Sequence, residues 1–520
     1  MADTDWTRRA VLTTAAASLA TTAHASAPPI ARTRHGRVRG AEVGGVLVFR
    51  GVRYGADTAP RRFQAPLPPA PWSGVRDALV FGDASPQTSD EPSQSEDCLF
   101  LNVWTPALDR GRRAVMVYIH GGAYSSGSGS GPLLDGGRIC QRGDVVVVTL
   151  NHRLGPLGYA YLASYGDTFA DSGNVGQLDL VLALEWVRDN IAEFGGDPVK
   201  VMVFGQSGGG AKIATLMAMP AARGLFHRAA TMSGQQVTAS GPNHADTRAA
   251  TFVRELGLTA NNIADIRNLP LERLLHAAHA SDPILGSGSL YFGPVLDDKN
   301  LTRHPFYPDA APQSLQIPLM LGNTHDETRG FSPSPVELRN LTWESLGARL
   351  AVAMRVDVRA DTVIQEYRRL YPQITPLDVY FAATTASRSW RGQIIEAEER
   401  ARAGAPAYVY QLDWRAPAEG GIYGAPHTLD IPLVFGNLEA SRFIGARTPE
   451  AEAVSQVMMD AFIAFAKTGD PNGGGLPRWS PYTLGARETM IFDNTSRMEN
   501  DPRKAERELF ARVPYIQPGT

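Results

Sequence analysis

The sequence predicts an α/β fold, in which a central and mostly parallel sheet is flanked by helices and further helical insertions cover a pocket. From residue 99 to about residue 233, short apolar runs alternate with stretches of helical periodicity. Such alternation is typical of a parallel sheet with helices on both faces. Two largely helical and polar segments follow, at residues 245–283 and 333–402. We expect these two segments to form the insertions.

The apolar runs predict the strands. A β-like run at residues 46–49 belongs to an N-terminal part at about residues 31–83, and buried strands are predicted at residues 114–119, 145–149, 201–204 and 317–322. Residues 178–194 carry apolar side chains at helical spacing, and a second helical stretch covers residues 211–219. Strands and helices therefore alternate as the fold requires.

A serine stands at the apex of a glycine-rich turn. Gly205, Gln206, Ser207, Gly208 and Gly209 follow the predicted strand at 201–204 and precede the predicted helix. This strand–turn–helix context is the one that a nucleophile elbow needs, because the tight turn tolerates no bulk on either side of the serine. The alternative is an ordinary Gly-Ser loop; the flanking strand and helix favour the elbow.

Two consecutive glycines follow the predicted strand at 114–119, as part of His120-Gly121-Gly122. Their N–H groups can turn toward one point, as an oxyanion hole requires. The third donor would be the N–H of Gly208, directly after the serine. A plain glycine turn at a strand end is the alternative for this segment taken alone.

A serine hydroxyl is a poor nucleophile near neutral pH, so the hypothesis needs a base and an acid that orients it. Asp326 and Glu327 lie just after the predicted strand at 317–322, and His427 lies in a turn-rich loop at 424–432. The order Ser207, Glu327, His427 is that of α/β-hydrolases and differs from the order in chymotrypsin and subtilisin.

At this point the chain resembles the type-B carboxylesterases, the family of cholinesterases and bacterial para-nitrobenzyl esterases. The resemblance covers most of the chain from about Pro28 onward. It is carried by matching segments that follow one another in the order of the family: 95–104, 120–122, 151–155, 174–179, 194–198, 326–327 and His427.

The resemblance implies an α/β-hydrolase fold with helical insertions over the active site, and a serine carboxylic ester hydrolase without a cofactor. Ser207 would be the nucleophile, His427 the general base and Glu327 the acid. Gly121, Gly122 and Gly208 would donate to the oxyanion. Glu96 and Arg153 resemble the structural ion pair of the family, and Asp197 resembles a turn residue that starts a strand.

Three positions depart from the pattern of the family. Its usual elbow is Gly-Glu-Ser-Ala-Gly, whereas this chain has Gln206 and Gly208. Gln206 removes a charge but no catalytic group, and Gly208 keeps its backbone donor in a turn that could be looser without a Cβ. Thr328 stands where a glycine commonly follows the Asp-Glu pair, which leaves Asp326 open as an alternative to Glu327. Asp430, three residues after His427, could influence that histidine, but we expect a structural role.

Composition agrees with a globular enzyme. Hydrophobic residues make up 43% of the 520 residues, charged residues 20%, and the net charge is −3. No basic stripe points to nucleic acid. No apolar run reaches the roughly 18 residues of a membrane-spanning helix, and no Cys/His spacing suits a metal. The expected partner is a small-molecule ester, while oligomeric state and natural substrate are left open.

The first 27 residues resemble a bacterial twin-arginine signal peptide, followed by a single domain at 28–520. Arg8 and Arg9 precede a mildly apolar stretch at residues 10–23, and small-residue cleavage sites follow it. This predicts export to the periplasm or the medium; a disordered N-terminal tail is the alternative. Cys98 and Cys140 are the two cysteines, and buried free thiols are favoured over a bridge between them.

Two classes of function fit the fold: a serine esterase, and a non-catalytic binding module of the kind that cholinesterase-like folds form when the nucleophile is lost. The presence of Ser207, Glu327, His427 and the paired glycines favours the enzyme. Among enzymes, an amidase or peptidase with the same triad is the alternative. We also expect Tyr124, Phe331 and Tyr423 to be candidates for lining the pocket.

Overall fold

The central element of the fold is a sheet to which both halves of the chain contribute. The computed structural model describes residues 27–331, 340–354, 356–473 and 475–517, so the predicted signal peptide lies almost entirely outside the described residues. The strands are β1 Ile30–Arg32, β2 Arg37–Arg39, β3 Ala41–Val43, β4 Val46–Arg53, β5 Val75–Asp77, β6 Phe100–Thr105, β7 Arg113–Ile119, β8 Val146–Leu150, β9 Gly196–Gln206, β10 Arg228–Met232, β11 Leu319–Thr324, β12 Ala407–Leu412, β13 Glu488–Phe492 and β14 Arg497–Asn500.

Eleven of the described strands form the large sheet, in the order β14-β13-β12-β11-β10-β9-β7-β8-β6-β4-β3. The strands from β13 to β8 in this order are all parallel. Antiparallel pairs complete both edges. Strands β1, β2 and β5 form a separate small sheet. The predicted α/β fold with a mostly parallel sheet is therefore confirmed.

Helices cover both faces of this sheet. The predicted helical periodicity at 178–194 corresponds to a helix followed by a 3₁₀ turn, and the helix after Ser207 begins at the next residue. The α-helices are Gly137–Gly143, Gly155–Tyr159, Val175–Asn190, Gly208–Leu216, Pro242–Glu255, Leu271–Ala277, Trp343–Ala353, Ala360–Leu370, Pro376–Thr385, Arg391–Arg402, Ala418–Gly421, Asp430–Phe435, Pro449–Thr468 and Lys504–Phe510. None of the helices in the described ranges is long and apolar enough to cross a membrane.

The core lies on both faces of the sheet because the parallel strands are buried on both sides. In β7, Val115 and Val117 belong to one buried cluster, whereas Met116 and Tyr118 belong to the cluster on the opposite face. Side chains alternate between the faces of a strand, so one continuous apolar run supplies two cores. This explains why the run at 114–119 shows no polar alternation.

The two predicted insertions form helical layers with cores of their own. The first contains the helices Pro242–Glu255 and Leu271–Ala277, which pack around a cluster that includes Phe252 and Leu274. The second contains helices from Trp343 to Arg402, with a cluster around Leu350 and Tyr367. A π-helical turn at Ala386–Trp390 joins its last two helices.

The prediction that Glu96 and Arg153 form an ion pair with each other is wrong, because each pairs with a different residue. Arg153 pairs with Asp179 of the helix Val175–Asn190 at 2.7 Å, and both side chains are buried. Glu96 instead pairs with Arg62. Each charge has a nearer partner from a neighbouring element, so both residues serve the scaffold through different bridges. Cys98 and Cys140 are free and buried, as predicted.

Candidate active site

The predicted site residues lie at one edge of the sheet. Strands β7, β9, β11 and β12 are parallel, so their carboxyl ends meet at the same edge, where α/β folds place their ligands. His120 follows β7, Ser207 follows β9 and Glu327 lies just beyond β11. His427 comes from the connection after β12.

The turn at Ser207 is strained and firmly held. Ser207 has φ 57° and ψ −125°, a conformation that costs free energy for a residue with a side chain and persists only when its surroundings enforce it. Its N–H donates to the carbonyl of Met232 at the end of β10, at 2.8 Å. A strand on one side and the helix Gly208–Leu216 on the other therefore fix the serine at the apex.

The glycines of the turn are required by close packing against β7. A Cβ on Gly209 would lie 2.0 Å from the carbonyl oxygen of Ile119, and a Cβ on Gly205 would lie 2.6 Å from the same atom. Neither distance is compatible with a side chain. The predicted strand–turn–helix context is present, and its physical basis is the contact with the end of β7.

The histidine and the glutamate form a buried pair. Nδ1 of His427 contacts Oε2 of Glu327 within hydrogen-bond distance, and both side chains are buried. The other oxygen of Glu327 accepts hydrogen bonds from the Asn323 side chain at 2.8 Å and from the Thr324 N–H at 2.9 Å. Burial opposes ionisation, but His427 and these donors outweigh it and hold the pKa of Glu327 below its usual value.

Asp326 faces away from the histidine. Its carboxylate accepts a hydrogen bond from the Ala425 N–H at 3.0 Å and pairs with Arg329 and His325, each at 3.3 Å. Against the effect of burial, these partners lower the pKa of Asp326. Asp326 therefore braces the loop, and Glu327 is the carboxylate in contact with His427.

The departures at Gln206 and Thr328 have structural counterparts. The Gln206 amide nitrogen lies 3.1 Å from Nε2 of His427. The sequence predicted only the loss of a charge at this position and did not predict this contact. The Thr328 hydroxyl donates to the carbonyl of Phe381 at 3.1 Å and contacts the Thr384 hydroxyl at 2.7 Å. Thr328 thus links the loop that carries Glu327 to the helix Pro376–Thr385.

The paired glycines lie beside the serine. A Cβ on Gly121 would be 3.3 Å from the Cβ of Ser207, so the two backbones are in close contact. Gly122 has φ 82°, which favours glycine. His120, which precedes them, is buried and stacks on His152 with ring centroids 4.8 Å apart. Burial, and then the nearby Lys212 charge, lower the pKa of His120 to about 3, so its ring is neutral at physiological pH.

A cavity of about 600 Å³ opens above Ser207 and His427. The expected insertions both contribute to its wall, the first through Leu275 and the second through Ser389. Tyr124 and Phe331 line the cavity as predicted, whereas Tyr423 does not and packs against Phe443. The wall also contains four amide side chains, namely Gln87, Gln235, Gln236 and Gln517. Within the described ranges, no group of three or more His, Cys, Asp or Glu residues could hold a metal ion.

Comparison with known proteins identifies the family. The model of the carboxylesterase family matches residues 27–510, so the chain belongs to the carboxylesterase family. It is 37% identical to the para-nitrobenzyl esterase of Bacillus subtilis (strain 168) over 495 residues, which cover 92% of this chain and 98% of that protein. It is 35% identical to the phenmedipham hydrolase of Pseudarthrobacter oxydans over 484 residues, 87% of this chain and 93% of that protein.

Solved structures of carboxylesterases superpose on this chain and agree with the family assignment. A carboxylesterase of Geobacillus stearothermophilus superposes with a TM-score of 0.82 at 36% identity, over 92% of this chain and 99% of that chain. A para-nitrobenzyl esterase superposes with a TM-score of 0.79 at 36% identity, over 93% and 100% of the two chains. The chain is therefore a serine carboxylic ester hydrolase with the α/β-hydrolase fold, and the alternative of a non-catalytic binding module is set aside.

The first prediction concerns Gly208, where the family usually has alanine. A Cβ at this position would lie 2.1 Å from the carbonyl oxygen of Ala123, so Gly208→Ala must displace the segment after the paired glycines. Although it restores the usual residue, we expect it to lower kcat by about tenfold or more, because it moves the N–H that the sequence predicts as an oxyanion donor. Steady-state kinetics with a p-nitrophenyl ester measure this. Gly485→Ala, where no atom lies within 4 Å of the added Cβ, is the control, and wild-type kcat in Gly208→Ala would contradict this expectation.

The second prediction concerns Asp430, which is buried and accepts a hydrogen bond from the Tyr410 hydroxyl at 3.1 Å. Burial, and then the charge of Glu327, raise the pKa of Asp430 to about 7 from an ordinary 3.8. Well below pH 3.8 the carboxyl is protonated in both the folded and the unfolded state. As the pH rises toward 7 the unfolded chain loses the proton first, so the folded state loses stability.

Asp430→Asn removes this titration and keeps an acceptor for Tyr410. The variant should therefore gain in free energy of unfolding relative to the wild type between pH 4.5 and pH 7.5, by about 3 kcal/mol. Urea denaturation at the two pH values measures the gain. Asp265→Asn, at an exposed position, should show no such change. An equal difference between variant and wild type at both pH values would refute a raised pKa.

Proposed function

We propose that Ser207, His427 and Glu327 form the catalytic triad of this esterase. Ser207 attacks the ester carbonyl while His427 takes its proton, and the protonated His427 then donates to the leaving alcohol. Water, activated by His427, hydrolyses the acyl-enzyme. The observation that carries the proposal is the buried contact between His427 and Glu327, in a pocket that both Ser207 and His427 line.

Glu327 acts through the histidine. With its Nδ1–H donating to the carboxylate, the His427 ring has its Nε2 lone pair available for the serine proton. The Glu327 charge then stabilises the imidazolium that forms in the transition state. Before the substrate binds, the Gln206 amide nitrogen, 3.1 Å from Nε2 of His427, can donate to this lone pair, so Gln206 must move aside when the ring accepts the proton of Ser207.

The N–H groups of Gly121, Gly122 and Gly208 would bind the oxyanion. Gly208 follows the nucleophile at the start of a helix, where N–H groups lack intrahelical partners and the helix dipole favours negative charge. The close approach of Gly121 to Ser207 supports the same role for the segment after β7. Charge developing on the carbonyl oxygen would thus meet preorganised donors.

The substrate would be a small-molecule ester. A cavity of about 600 Å³ is within the usual range for sites that enclose small organic ligands. The names of the relatives, para-nitrobenzyl esterase and phenmedipham hydrolase, point to esters with an aromatic group. Turnover of a series of p-nitrophenyl esters of increasing acyl length would define the acyl length that the cavity accepts.

We further propose that the protein is exported by the twin-arginine route. The pattern of Arg8, Arg9 and the mildly apolar stretch at 10–23 supports this. The match to the family model begins at residue 27, which agrees with a leader of the predicted length. The finished enzyme would then act in the periplasm or outside the cell.

The third prediction tests the acid of the triad. Glu327→Gln keeps the shape of the side chain but removes the charge that stabilises the imidazolium, so kcat should fall by roughly 10³–10⁴-fold with KM little changed. The matched control is its neighbour: Asp326→Asn should lower kcat by about tenfold or less, because Asp326 supports the loop. Measured side by side, a larger loss for Asp326→Asn would transfer the role of the acid to Asp326.

The fourth prediction tests export. Replacing Arg8 and Arg9 together by lysine keeps the charge but removes the arginine pair that the export machinery reads. In a bacterial host with this machinery, uncleaved precursor should accumulate in the cytoplasm. Cell fractionation and immunoblotting measure the distribution, with Arg32→Lys, outside the proposed signal, as the control. Unchanged export of the double variant would reject the twin-arginine route.

A further inference from the structure

The helix that follows Ser207 carries a lysine inside the protein. Lys212 has a relative exposure of 0%, and its ammonium group donates a hydrogen bond to the carbonyl oxygen of His120 at 3.1 Å. In an α-helix, side chains lean toward the N-terminus. Lys212 is therefore directed back along the helix, toward the end of β7.

This position is costly for a lysine. No carboxylate of the described chain forms an ion pair with Lys212, and burial lowers its pKa to about 7. The ring centroid of Tyr124 lies 5.8 Å from Nζ of Lys212. Burying an uncompensated ammonium group costs free energy, whereas an aliphatic side chain of the same length would fit without that cost. The lysine therefore calls for an explanation other than packing.

The hydrogen bond acts on the peptide unit that supplies an oxyanion donor. The carbonyl of His120 and the N–H of Gly121 belong to the same peptide plane, and in a trans peptide the two groups point in opposite directions. When Lys212 holds the carbonyl on the helix side, it fixes the direction of the Gly121 N–H as well. The hydrogen bond to the carbonyl also polarises the peptide and makes its N–H a stronger donor, and it does so most when Lys212 is protonated.

The next peptide unit is held in the same way. Nδ1 of His120 lies 2.9 Å from the carbonyl oxygen of Gly121, and the neutral ring can donate its Nδ1–H to that oxygen. This contact fixes the plane that contains the N–H of Gly122. Consecutive peptides of this flexible Gly-Gly segment are therefore fixed through their carbonyl oxygens, one by Lys212 and the other by His120.

We propose that Lys212 is a positioning residue of the oxyanion hole, which holds and polarises the His120–Gly121 peptide so that the Gly121 N–H is directed at the carbonyl oxygen of the reacting ester. The proposal rests on the proposed role of Gly121 as an oxyanion donor. Lys212 touches neither the substrate nor Ser207. Its effect should therefore be confined to states in which the oxygen carries negative charge.

The test is Lys212→Met, which keeps an unbranched side chain as far as the Cε position and removes the donor. We expect kcat for a p-nitrophenyl ester to fall by about 10- to 100-fold with KM changed by less than about threefold, since one donor is misdirected but not removed. The inhibition constant of an aryl trifluoromethyl ketone, which adds to the serine and forms an oxyanion, should rise by the same factor. Lys504→Met, at an exposed position, is the matched control and should change neither quantity.

The outcomes separate the alternatives. A folded Lys212→Met with wild-type kcat and inhibition constant overturns the proposal. A fall in kcat with an unchanged inhibition constant also overturns it, because a merely structural lysine would weaken the enzyme without selecting the oxyanion. If Lys212→Met does not fold, Lys212→Gln, one bond shorter but polar, should show the same paired losses. Retention of turnover by Ser207→Ala would instead refute the triad, whatever Lys212 does.

Discussion

The structure of the site depends on one buried contact, that between the carboxylate of Glu327 and the imidazole of His427. A carboxylate with no exposed surface is stable only when charge and hydrogen bonds replace its hydration. Glu327 obtains them from His427, from Asn323 and from the backbone of Thr324. The two partners are 100 residues apart in the chain, so the contact forms only when β11 and β12 have paired. The parallel sheet thus brings the two together and fixes the orientation of the imidazole.

Ser207, the proposed nucleophile, is held by a different constraint at the same edge of the sheet. The Ser207 turn is strained, and it is trapped between the carbonyl of Ile119 on one side and that of Met232 on the other. Its glycines and the Gly-Gly segment after β7 fit together so closely that few side chains are possible at either place. The cost of this strain is offset by burial of the strands, which are apolar on both faces. Strain, burial and the buried contact between His427 and Glu327 are therefore parts of one arrangement.

Many strands of the sheet and the turn at Ser207 were predictable from the sequence because their sequence signals are local. Continuous apolar runs predicted β7, β8, β9 and β11 within a few residues, and the glycine turn predicted the strand–turn–helix at Ser207. Other features depend on which elements meet in space. The pairing of Arg153 with Asp179, the contact of Gln206 with His427 and the burial of Lys212 have no local signature. The identity of the pocket wall depends on how the insertions fold back over the sheet, which periodicity does not specify.

The positions at which this chain departs from its family lie around the reacting groups. Gln206 replaces a charged residue and reaches the imidazole, Gly208 accommodates the close approach of Ala123, and Thr328 fastens the loop of the acid to a helix. Each change affects the position of a group and leaves its chemistry intact. The active site therefore keeps the reaction of the family with a different set of supporting contacts.

The most direct test of the central claim is the turnover of Ser207→Ala. If Ser207 is the nucleophile that His427 and Glu327 activate, kcat for a p-nitrophenyl ester should fall by on the order of 10⁴–10⁶-fold. The thermal unfolding curve should show an intact fold, and a fluorophosphonate that modifies one serine of the wild type should no longer react. Turnover near that of the wild type by the folded variant would contradict the account.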